Sequence, residues 1–114
     1  MKRRSVVPKV SEQLEAGAVL VRKWGYEQTN VDFFVIADRK NELAFLQPMT
    51  AVKTPDEGLR MTGSAVPGEI DDQAPLMRKK IRIDRQTQQE IGFLFDRSLA
   101  VLWDGKPVRY STYG

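Results

Sequence analysis

The alternation of apolar and polar positions predicts short β-strands over most of the chain. Residues 18–24 (AVLVRKW) and 31–37 (VDFFVIA) are rich in β-branched and aromatic residues, as strands require. In the second segment apolar side chains alternate on one face, while Phe34 and Ile36 occupy the other. A strand with apolar residues on both faces is typical of a central position that is covered on both sides.

Further strands and turns are predicted from the same alternation and from turn residues. They are a hairpin turn at 38–41, a third strand at 43–52 in which Pro48 indicates a bulge or an edge position, a long surface loop at 54–75 that holds a short strand at 59–66, and a strand at 76–83.

Residues 86–103 satisfy two patterns, because Ile91 begins both a helical spacing of apolar residues and a strand-like alternation. Gly92 and the LAVLW run at 99–103 favour two short strands broken at 96–98. A turn at Asp104-Gly105 then leads into an extended tail at 106–114.

The whole pattern predicts a mainly β protein, or an α+β protein with little helix. We expect one domain at 10–114, a small antiparallel β-barrel or roll of SH3-like or OB-like size. It is preceded by a flexible basic arm at 1–9 and begins with a short helix at 10–16, which Gly17 would end.

Composition argues against an enzyme. The 114 residues include neither cysteine nor histidine, which removes disulfides, thiolate ligands, the commonest general base and the commonest zinc ligand. Asp32, Asp38 and Asp56 could supply a carboxylate pair, but fifteen acidic residues always offer some pair, and solvated surface charge is the simpler interpretation. We therefore predict no catalytic residue, no metal site and no cofactor.

The formal net charge of +3 is distributed unevenly along the chain. Four bases and no acid lie in the first ten residues, so the rest of the chain sums to −1. Within it, residues 78–85 carry a local +4, whereas an acidic segment at 54–72 carries a local −4. The chain also has no apolar run that fits a signal peptide or a membrane span, so we expect a cytoplasmic protein without membrane contact.

Three groups of residues are candidates for binding a partner. In the first, Trp24 and Tyr26 share a face at a strand end and are followed by Gln28 and Asn30, which suggests a platform for stacking a base or docking a protein. The alternative is structural: Trp24 in the core and Asn30 in a turn.

The second group is a basic row of Arg78, Lys80 and Arg82, which alternation places on one strand face about 6.6 Å apart. Such a row could follow a nucleic-acid backbone, guard an exposed sheet edge, or pair with the acidic segment. The third group is C-terminal and consists of Trp103, Arg109, Tyr110 and Tyr113, which could fold back beside the first group.

Three motifs carry a resemblance to a known family. The runs WGYEQTNVDFF, PLMRKKI (75–81) and LWDGKPVRYSTY (102–113) resemble small uncharacterised proteins of bacteriophages and integrative mobile elements. The resemblance covers residues 17–114 and implies a compact β-rich domain without an enzymatic activity. Residues 86–99 depart from the family pattern, since members tend to be shorter and more polar there.

Two functions from different classes follow as hypotheses. The first is a nucleic-acid-binding accessory protein of a phage or mobile element, which uses the basic row and the aromatic residues. The second is a protein-binding inhibitor of a host defence system, of the anti-restriction or anti-CRISPR type, in which the acidic segment imitates nucleic acid. A structural component of the virion ranks third, and the sequence has no feature that determines the oligomeric state.

Overall fold

The structure is a computed structural model that describes residues 13–112. Nine strands lie in this range, every pairing between them is antiparallel, and the range contains no helix. The strands are β1 (Val19–Trp24), β2 (Asn30–Lys40), β3 (Leu43–Asp56), β4 (Leu59–Ile70), β5 (Met77–Lys80), β6 (Arg82–Ile83), β7 (Glu90–Phe95), β8 (Ser98–Leu102) and β9 (Val108–Ser111). The mainly β class is therefore confirmed.

The helix predicted at 10–16 is absent where the structure describes this segment. Residues 13–17 form bends and a turn, and residues 10–12 of the predicted helix lie outside the described residues. Leu14 is nevertheless buried, and its carbonyl accepts a hydrogen bond of 2.7 Å from Arg39. No helix in the described residues is long and apolar enough to cross a membrane.

Strand pairing runs in a circuit around the first hydrophobic cluster. β1 pairs with β2, β2 with β3, and β3 with β5. β6 follows β5 after the single buried residue Ile81 and pairs with β7, which returns through β8 to β1. The circuit encloses ten buried residues, and the largest of those that are fully buried are Leu20, Ile36, Leu46 and Phe93.

A second hydrophobic cluster lies on the opposite face of β2. Beyond Met49, β3 leaves β2 and pairs with β4, and β9 adds to the other side of β4. A bridge between Thr29 and Ser111 joins β9 to the start of β2. Because Phe33 lies in this cluster and Phe34 in the first, β2 is covered on both faces, as its sequence pattern predicts.

The predicted long loop at 54–75 is wrong, although the short strand expected within it at 59–66 is present as part of β4. β3 continues to Asp56, the turn is short, and β4 runs through most of this glycine- and proline-rich segment. Gly63 shows what one of these glycines does within the strand. It is opposite Tyr110 of β9, and a Cβ at position 63 would lie 2.5 Å from the hydroxyl of Tyr110. A glycine in this strand allows a close approach of an aromatic side chain, rather than marking a loop.

Other boundaries shift less. The turn predicted at 38–41 is shorter, because β2 continues to Lys40 and the chain reverses at Asn41, which has a φ of 56°. The ambiguous segment at 86–103 forms two strands, as favoured, with the hairpin turn at Asp96 and Arg97. The predicted strand at 76–83 is interrupted at Ile81.

Candidate functional site

One end of the strand circuit presents aromatic and charged side chains to solvent. We call this end the mouth. It is formed where β1 and β7 end and where β2 and β8 begin. Its residues are Arg22, Trp24, Asp32, Phe95 and Ser98. Cross-strand register explains the grouping, because Arg22 is opposite Asp32 on β2 and opposite Ala100 on β8, while Phe95 is opposite Ser98. All five side chains share the inner face that continues down to Leu20 and Phe93.

Arg22 is the central residue of the mouth. Its Nε donates to the hydroxyl of Ser98 at 2.6 Å, and its Nη1 donates to Oδ2 of Asp32 at 3.2 Å. Its guanidinium carbon also lies 5.1 Å from the ring centre of Trp24 and 5.0 Å from that of Phe95. The guanidinium therefore connects two aromatic rings by cation–π contacts and is itself held by two hydrogen bonds.

Trp24 is fixed in orientation but only half covered. Its indole Nε1 donates a 2.7 Å hydrogen bond to Oδ2 of Asp32, the same oxygen that accepts from Arg22. The residue remains 43% exposed. An aromatic ring that is oriented by a hydrogen bond and open to solvent can stack on a planar ligand without first losing conformational freedom.

Tyr26 stands at the tip of the β1–β2 loop and is 94% exposed. The loop backbone is constrained beside it: Gly25 has a φ of 129°, and Thr29 and Ser111 exchange two backbone hydrogen bonds of 3.1 Å. Gln28 donates from its side-chain amide to that of Asn30 at 3.2 Å. The two amides of the first candidate group thus stabilise the loop that carries Tyr26.

Two open depressions flank Tyr26. The larger has a volume of about 1090 Å³ and is lined by Arg22, Lys23, Trp24, Tyr26, Asp96 and Arg97, among others. The smaller, of about 640 Å³, lies between the loop and Ser111. The aromatic residues therefore form the border of a groove that is large enough for a flat ring or a short peptide segment.

Lys79 connects the basic stretch of β5 to the mouth. Its Nζ lies 4.3 Å from the ring centre of Phe95 and donates to the carbonyl of Leu94 at 3.4 Å, so it spans the gap between β5 and β7. Phe95 in turn stacks on Phe34, with ring centres 4.9 Å apart and an interplanar angle of 19°. Lys79 belongs to this inner face because it pairs with the buried Ala44.

The basic row lies on the other face of the same strand. Arg78, Lys80 and Arg82 are all exposed, with Lys79 and the buried Ile81 alternating between them. Among the described residues, the row makes one ion pair, between Lys80 and Glu42 at 3.7 Å, and none with the acidic segment. The structure thus places Trp24 and Tyr26 along one groove at the mouth, and the row on the outer face of β5 and β6.

The three described members of the C-terminal group do not form a surface with Trp24 and Tyr26. Trp103 and Tyr110 are buried in the second cluster, where Trp103 meets Phe33 edge to face and its Nε1 donates to the carbonyl of Lys106 at 2.8 Å. Tyr110 is a core residue because β9 adds to β4 and places it opposite Gly63. Trp103 directly follows β8, and its backbone N–H donates to the carbonyl of Val19 at 2.9 Å. Tyr113 lies outside the described residues.

Arg109 is exposed and forms a two-armed ion pair with Asp56, whose carboxylate also accepts from the hydroxyl of Thr62 at 2.6 Å. These hydrogen bonds lower the pKa of Asp56 to about 2 and raise that of Arg109. This acid of the acidic segment is therefore already engaged within the chain. The pair clamps β9 to the β3–β4 hairpin.

The three aspartates considered as a carboxylate pair serve separate structural contacts. Asp32 binds Arg22 and Trp24, Asp56 binds Arg109 and Thr62, and Asp38 accepts a 2.8 Å hydrogen bond from the backbone of Arg39. Their positions at the mouth, in the β3–β4 hairpin and in β2 give no arrangement of two carboxylates around a common substrate.

Residue patterns did not identify Arg22, Phe95, Ser98 or Lys79 as parts of a site, and they offered Asp32 only as a possible member of a carboxylate pair. A signal existed for Arg22, because strand alternation places it on the face of Leu20 and Trp24, where a charged residue needs a partner. Nothing local signals Phe95 or Lys79, since their contacts depend on pairing between distant strands. Family models, curated proteins and solved structures yield no match to this chain, so the site is assigned from its geometry alone.

Proposed function

We propose that this chain is a non-enzymatic binding protein that takes single-stranded nucleic acid at the mouth. The observation that carries the proposal is the pair of aromatic residues there: Tyr26 is 94% exposed, next to a Trp24 that is fixed in place and half exposed. Large aromatic side chains contribute to folding only when they are buried, so an exposed tyrosine on a constrained loop points to a ligand.

Stacking is the contact that such a platform offers. Base–aromatic stacking contributes about 1–3 kcal/mol per base and tolerates any sequence, because every base has a π-face. Arg22 supports the platform from below by its contacts with Trp24 and Phe95. Lys23 and Arg97 line the groove and enter no ion pair among the described residues, so they are free to meet phosphates.

Acidic side chains at the same end limit how much of the binding can be electrostatic. Glu27 and Asp96 line the two depressions, and Asp71 lies near β3, where its backbone N–H donates to the carbonyl of Pro48. With both charge signs present, stacking outweighs general attraction to phosphates. The ligand that fits is a single strand with accessible bases, rather than duplex DNA, whose bases are covered.

The biological setting of the proposal comes from the motifs. Their resemblance to small proteins of phages and mobile elements supports an accessory role in the cytoplasm of a bacterial host. A binding protein that acts on single strands would fit the replication or transfer of such an element.

A protein partner is the second candidate, and one observation favours it. Tryptophan, tyrosine and arginine are the residues that dominate binding energy at protein interfaces, and here they are surrounded by charges of both signs. A host defence protein inhibited through this surface would be recognised by the same Trp24 and Tyr26. The two candidates therefore share a site and differ in the ligand.

The test compares Tyr26→Ala with Val52→Ala, a variant of another exposed apolar residue, on β3. Binding of a labelled oligothymidylate of about ten nucleotides is measured by fluorescence anisotropy at low and high salt. We expect Tyr26→Ala to weaken binding about 5- to 150-fold, as the loss of one stacked base requires. Val52→Ala should bind as the parent does, and the stability of the Tyr26→Ala variant should stay within about 0.5 kcal/mol.

Two outcomes would decide against nucleic acid. One is the absence of single-strand binding even at low salt, and the other is unchanged affinity of Tyr26→Ala. If, instead, a host protein co-purifies after nuclease treatment and is lost with Tyr26→Ala but not with Val52→Ala, the mouth is a protein-binding surface.

A further inference from the structure

We propose that a single strand bound at the mouth continues along the outer face of β5 and β6, where the basic row holds successive backbone phosphates. This inference rests on the proposed function and adds a path and a length to it. The bases at one end of the bound segment would stack at the mouth, and the phosphates that follow would meet Arg78, Lys80 and Arg82 in turn.

The course of β5 supplies the path. Its first residue, Met77, is opposite Leu46 of β3, and its last, Lys80, is opposite Leu43. Since Pro48 of β3 is opposite Phe34, which stacks on the mouth residue Phe95, β5 starts near the mouth and runs away from it. The row therefore begins at the side of the mouth that Phe95 forms, across the strand circuit from β1 and Trp24, and leads away from the mouth along the side of the molecule.

The spacing of the row matches a nucleic-acid backbone. Its members are two residues apart on an extended segment, which separates neighbouring side chains by about 6.6 Å. This is comparable to the distance between successive phosphates in an extended single strand. The break between β5 and β6 at Ile81 does not change the alternation, because Ile81 is buried and Arg82 is again exposed.

The charges around the row leave it positive. Lys80 and Glu42 are 3.7 Å apart and both largely exposed, and such pairs contribute little and exchange readily with a competing anion. Asp84, the next acid along the chain, accepts hydrogen bonds from the backbone of Gln86 and the hydroxyl of Thr87, within the turn after β6. Among the described residues, no ion pair includes Arg78 or Arg82.

Charged residues on a short strand also prevent unwanted pairing with other chains. That protective role requires charge but does not require a ligand, so it predicts no dependence of binding on oligonucleotide length. A backbone-binding row does predict one, because only a strand that extends beyond the mouth can reach it.

The experiment measures binding of oligothymidylates of about three and about eight nucleotides, which span less and more than the mouth. Three proteins are compared: the parent chain, the triple variant Arg78→Gln, Lys80→Gln and Arg82→Gln, and a control that changes three other exposed cations, Lys40→Gln, Arg85→Gln and Lys106→Gln. Both variants lose three positive charges, so an effect of overall charge appears equally in both. Thermal unfolding verifies that both are folded.

We expect the parent and the control to bind the longer oligonucleotide at least tenfold more tightly, and the row variant to lose this gain while keeping its affinity for the shorter one. The slope of log affinity against log salt for the longer strand should fall by about 2 in the row variant, since each phosphate contact in a single strand contributes about 0.7.

Other results separate the failure of this inference from the failure of the proposed function. If the short oligonucleotide binds and the row variant gains as much affinity with length as the control, the path along β5 is wrong and the mouth remains a binding site. If neither oligonucleotide binds the parent chain, the proposed function itself is wrong.

Discussion

Replacing Gly25 by alanine tests whether the shape of the β1–β2 loop sets the position of Tyr26. Gly25 has a φ of 129°, in a region that residues with a side chain rarely occupy. A Cβ there would lie 2.2 Å from the carbonyl oxygen of Gln28 and 3.0 Å from the side-chain amide nitrogen of Asn30. The alanine variant therefore combines backbone strain with a contact that the neighbouring backbone must move to relieve.

The magnitude follows from a comparison with Gly58, in the turn between β3 and β4. Gly58 also has a positive φ, of 78°, but a Cβ there would meet no atom within 4 Å. Gly58→Ala should lower the free energy of unfolding by about 1–2 kcal/mol through backbone strain alone. Gly25→Ala adds the steric contact, which typically costs a further 1–3 kcal/mol or so.

The loop has little freedom to escape this contact. Trp24 pairs with Asn30 on one side, and Thr29 is held to Ser111 by two backbone hydrogen bonds on the other. A shift of the loop would relieve the steric contact, so the free energy of unfolding would fall less. Tyr26 would then move with the loop and lose its position for stacking. We therefore expect a deficit in stability, in oligonucleotide affinity, or in both, relative to Gly58→Ala.

Urea unfolding monitored by circular dichroism gives the stability of both variants, and fluorescence anisotropy gives their affinity for the ten-nucleotide probe. The m-values should agree, so that the midpoints can be compared directly. If Gly25→Ala matches Gly58→Ala in stability and in affinity, the loop geometry does not position Tyr26 and the reasoning fails.

Two further predictions concern ion pairs that join distant strands. The pKa of Asp56 is about 2, so the stability that its ion pair contributes is fully present above the ordinary aspartate pKa of about 3.9 and is lost as the pH falls toward 2. Arg109→Gln should raise the pKa of Asp56 in a carbon-detected NMR titration, whereas the control Arg97→Gln should leave it unchanged. The hydrogen bonds from Arg39 lower the pKa of Glu90, so Glu90→Gln should reduce the free energy of unfolding by about 1 kcal/mol or less at neutral pH. This difference between the variant and the parent should vanish as the pH falls through the pKa of Glu90. A difference that persists in acid would contradict the assignment.

Local pattern predicted those parts of the fold whose burial is determined within one strand. β2 has apolar residues on both faces and is covered on both faces, with Phe33 in one cluster and Phe34 in the other. The two strands at 90–102 were also predictable, because Gly92 and the apolar run at 99–103 favour strands over the helical spacing.

Composition misled where long-range pairing compensates for poor strand residues. The segment at 54–75 is rich in glycine and proline, which on local grounds predicts a loop. In the structure β4 is paired on one side with β3 and over part of its length with β9, and Gly63 accommodates Tyr110. The same pairing explains why Tyr110 is a core residue, since β9 beside β4 directs Tyr110 inward.

The candidate site shows the same division. The position of Trp24 at a strand end follows from its own sequence context, and it contacts Asp32 of β2. Its neighbour Arg22 contacts β7 and β8 as well, so the site as a whole needs the register of three strand pairs. Arg22 can contact Phe95 only because β8 lies between β1 and β7. Sequence spacing holds no information on that order of strands.

Ile81, which directly follows β5, fixes which side chains of this segment face the core and which face solvent. A shift of one residue in the pairing of β5 with β3 would turn Ile81 and Lys79 outward and bring Arg78, Lys80 and Arg82 to the core face. Burying three cations without partners is far more costly than leaving one isoleucine exposed, so both terms favour the observed register. The residue that completes the first cluster thereby places Lys79 against Phe95 at the mouth and the basic row in solvent. The two surfaces follow from one register and cannot be shifted independently.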